Sequence, residues 1–202
     1  MNGSAQIILA SASPRRRELL AQIGVTAIVQ AVDIDESSKP NEPVNDYVER
    51  LAMEKAQRGF ATINNEKALP VLGSDTIVEI DGMVLGKPES RSHAKEMLMQ
   101  LSGRVHEVHT SVAIVTRDNK VLATSSTHVQ FKTLDVQDIE SYISSGEADD
   151  KAGAYAIQGI AAQFVKNING SYSGVMGLPL YETVELLERC GVRALDLIDV
   201  KP

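Results

Sequence analysis

A basic turn follows the first apolar segment of the chain, residues 6–10, and precedes a predicted helix. Residues 11–17 read SASPRRR. A helix N-terminus carries free N–H groups and a partial positive charge, so arginines in its first turn are unfavourable unless an anion binds there. Because guanidinium groups bind phosphate through paired hydrogen bonds, Ser11, Arg15 and Arg16 are candidate ligands of a polyphosphate. The alternative is a basic turn that only faces solvent.

A carboxylate, Asp75, interrupts an apolar stretch at residues 71–80 that is typical of a strand in a sheet core. Burying a carboxylate costs free energy unless it is paired, hydrogen-bonded or bound to a metal. Side chains alternate along a strand, so Asp75 and Thr76 are expected on opposite faces. Asp75 is therefore a candidate general base or metal ligand. The alternative is a structural carboxylate that caps a neighbouring loop.

Two lysines and an acidic loop could complete a site for a charged ligand. Lys55 faces the apolar side of a predicted helix, which is an unusual place for a lysine. Lys87 lies in a Gly-Lys-Pro turn, where a solvated lysine is the ordinary case, but it too could neutralise an anion. Glu36 belongs to the acidic loop 33–41, and carboxylates are ligands that Mg²⁺ and Mn²⁺ prefer. The alternative is an acidic loop that is only solvated.

The sequence does not support several other kinds of site. His106 and His109 lie three positions apart on a predicted strand, so they face opposite sides and cannot share a zinc ion. Cys190, the single cysteine, has no acid–base partner nearby in the sequence and is predicted to be a small buried hydrophobic residue. Neither a P-loop motif nor a Rossmann glycine motif occurs.

The elements that position these residues alternate between hairpins and strand–helix units. Predicted strands cover residues 6–10, 27–32, 71–80, 83–85, 105–116 and 121–133, and predicted helices cover residues 14–24, 43–61, 91–101, 135–143 and 179–190. Loops 149–159 and 168–177 are rich in glycine, serine and asparagine and are predicted to be functional. The pattern predicts a single two-lobed α/β domain over residues 1–202, with a mixed, partly antiparallel sheet flanked by helices.

The composition indicates an ordinary globular protein. Among 202 residues, 27 acidic and 20 basic side chains give a net charge of −7, which argues against binding to a nucleic-acid polymer. A single cysteine suits a reducing compartment, no apolar run approaches the ~20 residues of a membrane helix, and no signal peptide is evident. We therefore expect a cytoplasmic protein without membrane contact, and a homodimer is one assembly that the sequence leaves open.

Seven short segments occur in a fixed order along the chain. They are SASPRR at 11–16, RLA with KA at 50–56, GSDT at 73–76, GKP at 86–88, LSG at 101–103 before His106, DKAGAYAIQG at 150–159, and GSY leading to GLPL at 170–180. In this order they resemble the Maf family, the septum-formation-inhibitor-like nucleotide pyrophosphatases. The resemblance extends over residues 7–191, which is nearly the whole chain.

The resemblance implies an α/β fold with a deep cleft between two lobes. It also implies that a nucleoside triphosphate is hydrolysed to the monophosphate and pyrophosphate with Mg²⁺ or Mn²⁺, an activity that cleanses the nucleotide pool. By analogy, Asp75 is the proton acceptor, while Arg15, Thr76 and Gln158 determine which nucleobase the site prefers. The loop 151–159 resembles that of the family branch acting on dTTP and UTP.

The chemistry of the candidate residues agrees with this implied reaction. Attack of water on the α phosphorus needs a base, and either Asp75 itself or a metal held by Asp75 would serve. Glu36 is the second choice as base or metal ligand. Four cationic side chains could neutralise the triphosphate and the leaving group: Arg15, Arg16, Lys55 and Lys87. Gln158 offers both a donor and an acceptor, which suits the imide edge of uracil or thymine.

Two other functions stay open. One is a non-catalytic, nucleotide-responsive regulator of septum formation and cell division, which would use the arginines but would need neither Asp75 nor a metal. The intact GSDT segment at 73–76 favours the enzyme over this regulator. The other is a pyrophosphatase of the type that prefers 7-methyl-GTP, a branch of the family with a different loop at 151–159.

Overall fold

A mixed sheet organises the computed structural model, which describes residues 5–63 and 69–197. Its seven strands within these ranges are β1 (Ile7–Leu9), β2 (Ala27–Val29), β3 (Val71–Ile80), β4 (Met83–Leu85), β5 (Val105–Val115), β6 (Lys120–Phe131) and β7 (Val165–Asn169). Their order in space is β2-β1-β3-β5-β6-β7, with β4 paired to β3. β1 runs parallel to β2 and β3, whereas the pairs β3–β4 and β6–β7 are antiparallel. The predicted mixed sheet is therefore confirmed.

Helices connect the strands of this sheet. In the described residues they are α1 (Pro14–Gln22), α2 (Val44–Ala61), α3 (Arg91–Leu101), α4 (Val136–Ser144), α5 (Tyr172–Met176) and α6 (Leu180–Arg189), with 3₁₀ turns at Ala152–Ala154, Ile160–Phe164 and Ala194–Leu197. None of these described helices combines the length and the apolar character that a membrane crossing requires. Helices and strands together confirm the predicted α/β class.

Side-chain caps begin two of the predicted helices. Ser90 Oγ accepts a hydrogen bond from the His93 N–H at 3.1 Å, and Asp135 Oδ1 accepts one from the Asp138 N–H at 2.7 Å. Both bonds satisfy N–H groups that a first helical turn leaves free. Helix α1 is different: Ser13 stands at the cap position as predicted, but its side chain accepts no capping bond from the described residues.

Apart from element boundaries that shift by one or two residues, three features differ from their predicted form. β2 ends at Val29 rather than at residue 32, because its partner β1 is three residues long and ends opposite it at Leu9. Residues 168–177, predicted as a loop, contain the end of β7 and the short helix α5. Cys190 is half-buried rather than buried, and this burial raises the pKa of its thiol.

The chain divides into two compact units. The first unit comprises Met1–Asp75, Thr110–Ser125 and Gly177–Pro202, and the second comprises Thr76–His109 and Ser126–Met176. Strands β3, β5 and β6 each contribute residues to both units. A single domain over residues 1–202 stays a prediction.

In the first unit, helix α2 packs closely on the sheet at Gly73 of β3. Ala52 and Ala56 of this helix form a buried cluster with apolar residues of β5. A Cβ atom at position 73 would lie only 2.5 Å from the Ala56 nitrogen, so glycine is required for this approach. Because Gly73 and Asp75 share one face of β3, the same packing brings α2 over Asp75.

In the second unit, the segment 150–159 is fixed on β3 through Gly153. Gly153 has a φ of +65°, and a Cβ atom there would lie 3.0 Å from Val78 Cγ1. Its N–H donates to the Gly86 carbonyl at 3.1 Å. Both the backbone conformation and the close approach favour glycine. Since Val78 and Thr76 share a face of β3, the segment lies on the face that carries Thr76.

His106 lies in the apolar core of the second unit. Its Nε2 is 2.8 Å from the Tyr155 hydroxyl, and the two rings meet edge to face. Burial lowers the pKa of His106 to about 4, so the ring is neutral at pH 7. His109 instead contacts Ser126 and Glu79. The different partners of the two histidines are those expected from opposite faces of β5.

His106→Phe should make the fold less sensitive to acid. In the wild type, the unfolded chain takes up a proton near pH 6.5 that the folded chain takes up only near pH 4, so stability falls as the pH decreases through this interval. The wild type should therefore lose about 3 kcal/mol more unfolding free energy than the variant between pH 7 and pH 4. Urea unfolding of both proteins measures the difference, and equal losses would contradict this role of His106.

Candidate active site

An ion cluster in the first unit joins three of the predicted site residues: Lys55, Asp75 and Glu36. The Lys55 ammonium lies 2.6 Å from Asp75 Oδ1 and 2.6 Å from Glu36 Oε1. Lys55 and Asp75 are each only 9% exposed, whereas the Glu36 side chain is 54% exposed. The three residues, which the sequence presents as separate candidates, therefore meet around one charged atom.

The charges of this cluster act on the basic turn as well. Two carboxylates face the single ammonium of Lys55, which gives the buried Asp75 the hydrogen bond and the opposite charge that burial demands. The pKa of the Arg16 guanidinium is lowered, and burial is the main cause. The negative charge of Asp75 opposes this shift, the positive charge of Arg15 adds to it, and the negative charge of Glu36 opposes it. The carboxylates of Asp75 and Glu36 are therefore close enough to the basic turn to affect the pKa of Arg16.

The Gly177 carbonyl links the basic turn to β3. It accepts a hydrogen bond from Arg16 Nε at 2.8 Å and one from Ser74 Oγ at 3.1 Å. Ser11 Oγ in turn accepts Arg16 Nη1 at 3.1 Å and the Ser13 N–H at 3.2 Å. Arg16 and Ser11 therefore hold the start of α1 in place, in addition to being candidate phosphate ligands.

Tyr47 and Arg50, which are not among the predicted site residues, hold the acidic loop beside the ion cluster. The Tyr47 hydroxyl donates to the Glu36 carbonyl at 2.5 Å, and Arg50 Nη2 donates to the Ser37 carbonyl at 2.9 Å. Arg50 also contacts Glu42 at 2.6 Å, and this hydrogen bond lowers the pKa of Glu42 to about 2. The i, i+3 spacing of Tyr47 and Arg50, directly after the loop, is the sequence signal that could have indicated their shared face.

Of the remaining predicted residues, Arg15 is half-buried in the first turn of α1 in the first unit, and three others belong to the second unit. Thr76 follows Asp75 on β3, is half-buried, and lies on the opposite face of the strand. Lys87 is exposed and directly follows Gly86, whose carbonyl holds the segment 150–159. Gln158 in that segment is also exposed. The contribution of these three residues to ligand binding stays a prediction.

The ion cluster has a donor set that fits a divalent cation. Oxygens of Asp75 and Glu36 already approach one cationic atom, and Mg²⁺ is usually held by one or two carboxylates together with phosphate oxygens of a substrate. Within residues 5–63 and 69–197, no group of three or more His, Cys, Asp and Glu side chains could hold a metal ion. Asp75 and Glu36 could therefore supply two carboxylate ligands to a divalent cation whose remaining ligands are phosphate oxygens of a substrate.

Known proteins similar to this chain match it over most of its length. The family model described as Maf-like protein matches residues 6–190. A protein of Methylobacillus flagellatus named dTTP/UTP pyrophosphatase is 52% identical over 187 residues, which cover 93% of this chain and 94% of the relative. Two proteins of the same name come from Hahella chejuensis, at 48% identity over 95% of each chain, and from Bordetella avium, at 50% identity over 95% of this chain and 98% of the relative.

Proposed function

The chain belongs to the Maf family, and from this premise we propose that it hydrolyses dTTP and UTP to the nucleoside monophosphate and pyrophosphate. The observation that carries the proposal is the ion cluster of Lys55, Asp75 and Glu36, whose carboxylates also act on Arg16 of the basic turn. Relatives at 48% to 52% identity bear the name of this activity. Such an enzyme would remove unwanted nucleotides from the cellular pool.

Asp75 is proposed to accept the proton of the attacking water. As this proton leaves, the water oxygen bonds to the α phosphorus, the bond between that phosphorus and the bridging oxygen breaks, and pyrophosphate departs with the electron pair. Lys55 contacts one carboxylate oxygen of Asp75 at 2.6 Å and so holds the group in one orientation. A positioned base of this kind contributes about 10²–10⁴-fold to a rate.

Positive charge is proposed to cover the triphosphate and the leaving pyrophosphate. Free N–H groups at the start of α1 favour a phosphate at that end of the helix, and charge placed where the leaving group forms stabilises the transition state. Asp75 and Glu36 would hold Mg²⁺ or Mn²⁺ together with the substrate, and such an ion, when bound, neutralises phosphate oxygens and polarises the α phosphorus. The side chains proposed to contact phosphate are Ser11, Arg15, Arg16, Lys55 and Lys87.

Arg15, Thr76 and Gln158 are proposed to select the base. The Gln158 amide would donate to a base carbonyl and accept from the adjacent imide N–H, and uracil and thymine present both groups side by side. Cytosine has no N–H at that ring position, so the Gln158 amide oxygen, removed from water by the bound base, would stay unpaired at a cost of ~1–3 kcal/mol. UTP should therefore be preferred over CTP by roughly 10-fold or more.

Gln158→Ala should narrow the preference for UTP over CTP more than it lowers the rate with UTP, because the Gln158 amide is the group proposed to pair with the imide N–H that cytosine lacks. The measurement is kcat/KM for UTP and for CTP with each protein. Gln137→Ala is the matched control, since Gln137 is an exposed glutamine of the second unit that lies on α4, outside the segment 150–164. If Gln158→Ala lowers kcat/KM by the same factor for every nucleotide, then Gln158 only stabilises its loop and does not select the base.

A panel of nucleotides tests the proposed function as a whole. The ribo- and deoxyribonucleoside triphosphates and 7-methyl-GTP are incubated with the protein and Mg²⁺ or Mn²⁺, and monophosphate and pyrophosphate are quantified. Pyrophosphate release with dTTP and UTP as the best substrates is the expected result. Nucleotide binding without any release would favour the regulator, and preference for 7-methyl-GTP would overturn the base assignment.

The proposed setting is the cytoplasm, with free nucleotides as substrates rather than nucleic-acid polymers. A net charge of −7 disfavours a long polyanion, whereas a short basic turn suits one triphosphate group. A single cysteine is compatible with a reducing compartment.

A further inference from the structure

Glu147, for which no motif suggests a role, contacts the backbone just after Gln158. Its carboxylate accepts the Ile160 N–H at 2.9 Å and the Ala161 N–H at 3.2 Å. These N–H groups begin the 3₁₀ turn Ile160–Phe164. Hydrogen bonds from N–H groups to a charged carboxylate are stronger than those between neutral groups, so Glu147 fixes the chain on the C-terminal side of Gln158.

Gly159 shows how closely Glu147 approaches this segment. A Cβ atom at position 159 would lie 2.5 Å from Glu147 Cδ, so any other residue would push the carboxylate away. The φ of Gly159 is −106°, which does not itself require glycine. A side chain at position 159 would therefore displace the Glu147 carboxylate from the Ile160 and Ala161 N–H groups.

Gln158 lies between two fixed points of the second unit. On its N-terminal side, Gly153 is bound to the Gly86 carbonyl and packed on Val78. The intervening residues 154–157 are all buried, whereas Gln158 is exposed. The segment thus presents one polar side chain outward from a backbone that Glu147 holds on the other side.

We propose that Glu147 is a positioning residue for Gln158 and thereby helps to determine which base is accepted. This inference rests on the proposed function and extends it to a residue that touches neither phosphate nor base. Glu147→Gln keeps the size of the side chain but removes its charge and one of the two accepting oxygens. Residues 158–161 would then have more freedom, and the Gln158 amide would no longer have one orientation toward the base.

The test combines nucleotide specificity with a double-mutant cycle. Glu147→Gln should reduce the ratio of kcat/KM for UTP to that for CTP by about threefold or more, with a smaller change in kcat for UTP. In a Gln158→Ala background the same substitution should leave the ratio unchanged, because its effect passes through Gln158. Glu140→Gln is the matched control, since Glu140 is exposed on α4 and pairs with Lys95.

A second variant and a second measurement keep the outcome independent of folding problems. Glu147→Asp retains the charge and should recover part of the ratio, and hydrogen exchange at the Ile160 and Ala161 amides should accelerate in Glu147→Gln. Two results would overturn this proposal alone. One is an active Glu147→Gln protein whose ratio of kcat/KM for UTP to that for CTP equals the wild-type ratio. The other is an equal change of that ratio by Glu147→Gln in the wild-type and Gln158→Ala backgrounds. Absence of pyrophosphate release by the wild type would overturn the proposed function and this proposal with it.

Discussion

Asp75→Asn should lower the turnover number for UTP by at least about 100-fold, the lower end of what a positioned base contributes. Asparagine keeps the shape of the side chain but cannot accept the proton of water, and it lacks the negative charge that a ligand of Mg²⁺ supplies. The fold should persist, because Lys55 retains Glu36 as a counter-ion at 2.6 Å. The measurement is pyrophosphate release at saturating UTP, with a thermal melt of the same preparation.

Asp81→Asn is the matched control for this prediction. Asp81 lies on the exposed turn between β3 and β4, pairs with Arg104, and has a positive φ of 54° that asparagine also tolerates. It should turn over UTP at the wild-type rate. A folded Asp75→Asn protein with turnover near that of the wild type would remove Asp75 from the reaction.

Lys55→Met should lower kcat/KM for UTP by about 10-fold to 100-fold, since hydrogen bonds to charged groups contribute ~1.5–3 kcal/mol. Asp75 would lose its buried partner, so the unfolding free energy in metal-free buffer should fall by about 3 kcal/mol. The variant should also bind free Mn²⁺ more tightly, because the ammonium that competes for Asp75 and Glu36 is gone. Electron paramagnetic resonance of free Mn²⁺ measures this binding without any turnover.

Lys95→Met separates this effect from the general loss of a lysine. The Lys95 ammonium pairs with Glu140 at the surface of the second unit, so its removal should change neither Mn²⁺ binding nor turnover. If Lys55→Met binds Mn²⁺ no more tightly than the wild type does, then the ammonium and the metal do not compete for the two carboxylates.

Local signals explain why some elements could be predicted to the residue. β3 is one apolar run that ends at an Asp-Gly turn, and α3 begins after the Ser90 cap and ends before Gly103. The inward position of Lys55 follows from the helical spacing of its apolar neighbours on α2. That Asp75 has a partner follows from the rule that a buried carboxylate must be paired, whereas its role as proton acceptor is what the family resemblance implies.

Contacts between distant residues explain what could not be predicted. Glu36 meets Lys55 because Tyr47 and Arg50 hold the loop backbone from 11 and 13 positions away, and a loop has no periodicity that would reveal such contacts. The role of Glu147 depends on a segment that returns to it 13 positions later in the chain. Each of these contacts is a consequence of tertiary packing, which one sequence does not encode as a local pattern.

In the proposed reaction, water attacks the α phosphorus of UTP, so the oxygen of that water must appear in the nucleotide product. The wild-type protein hydrolyses UTP with Mg²⁺ in ¹⁸O-labelled water, and mass spectrometry locates the label in the products. We expect a single ¹⁸O atom in UMP and none in pyrophosphate. Label in pyrophosphate, or release of orthophosphate in its place, would contradict attack at the α phosphorus.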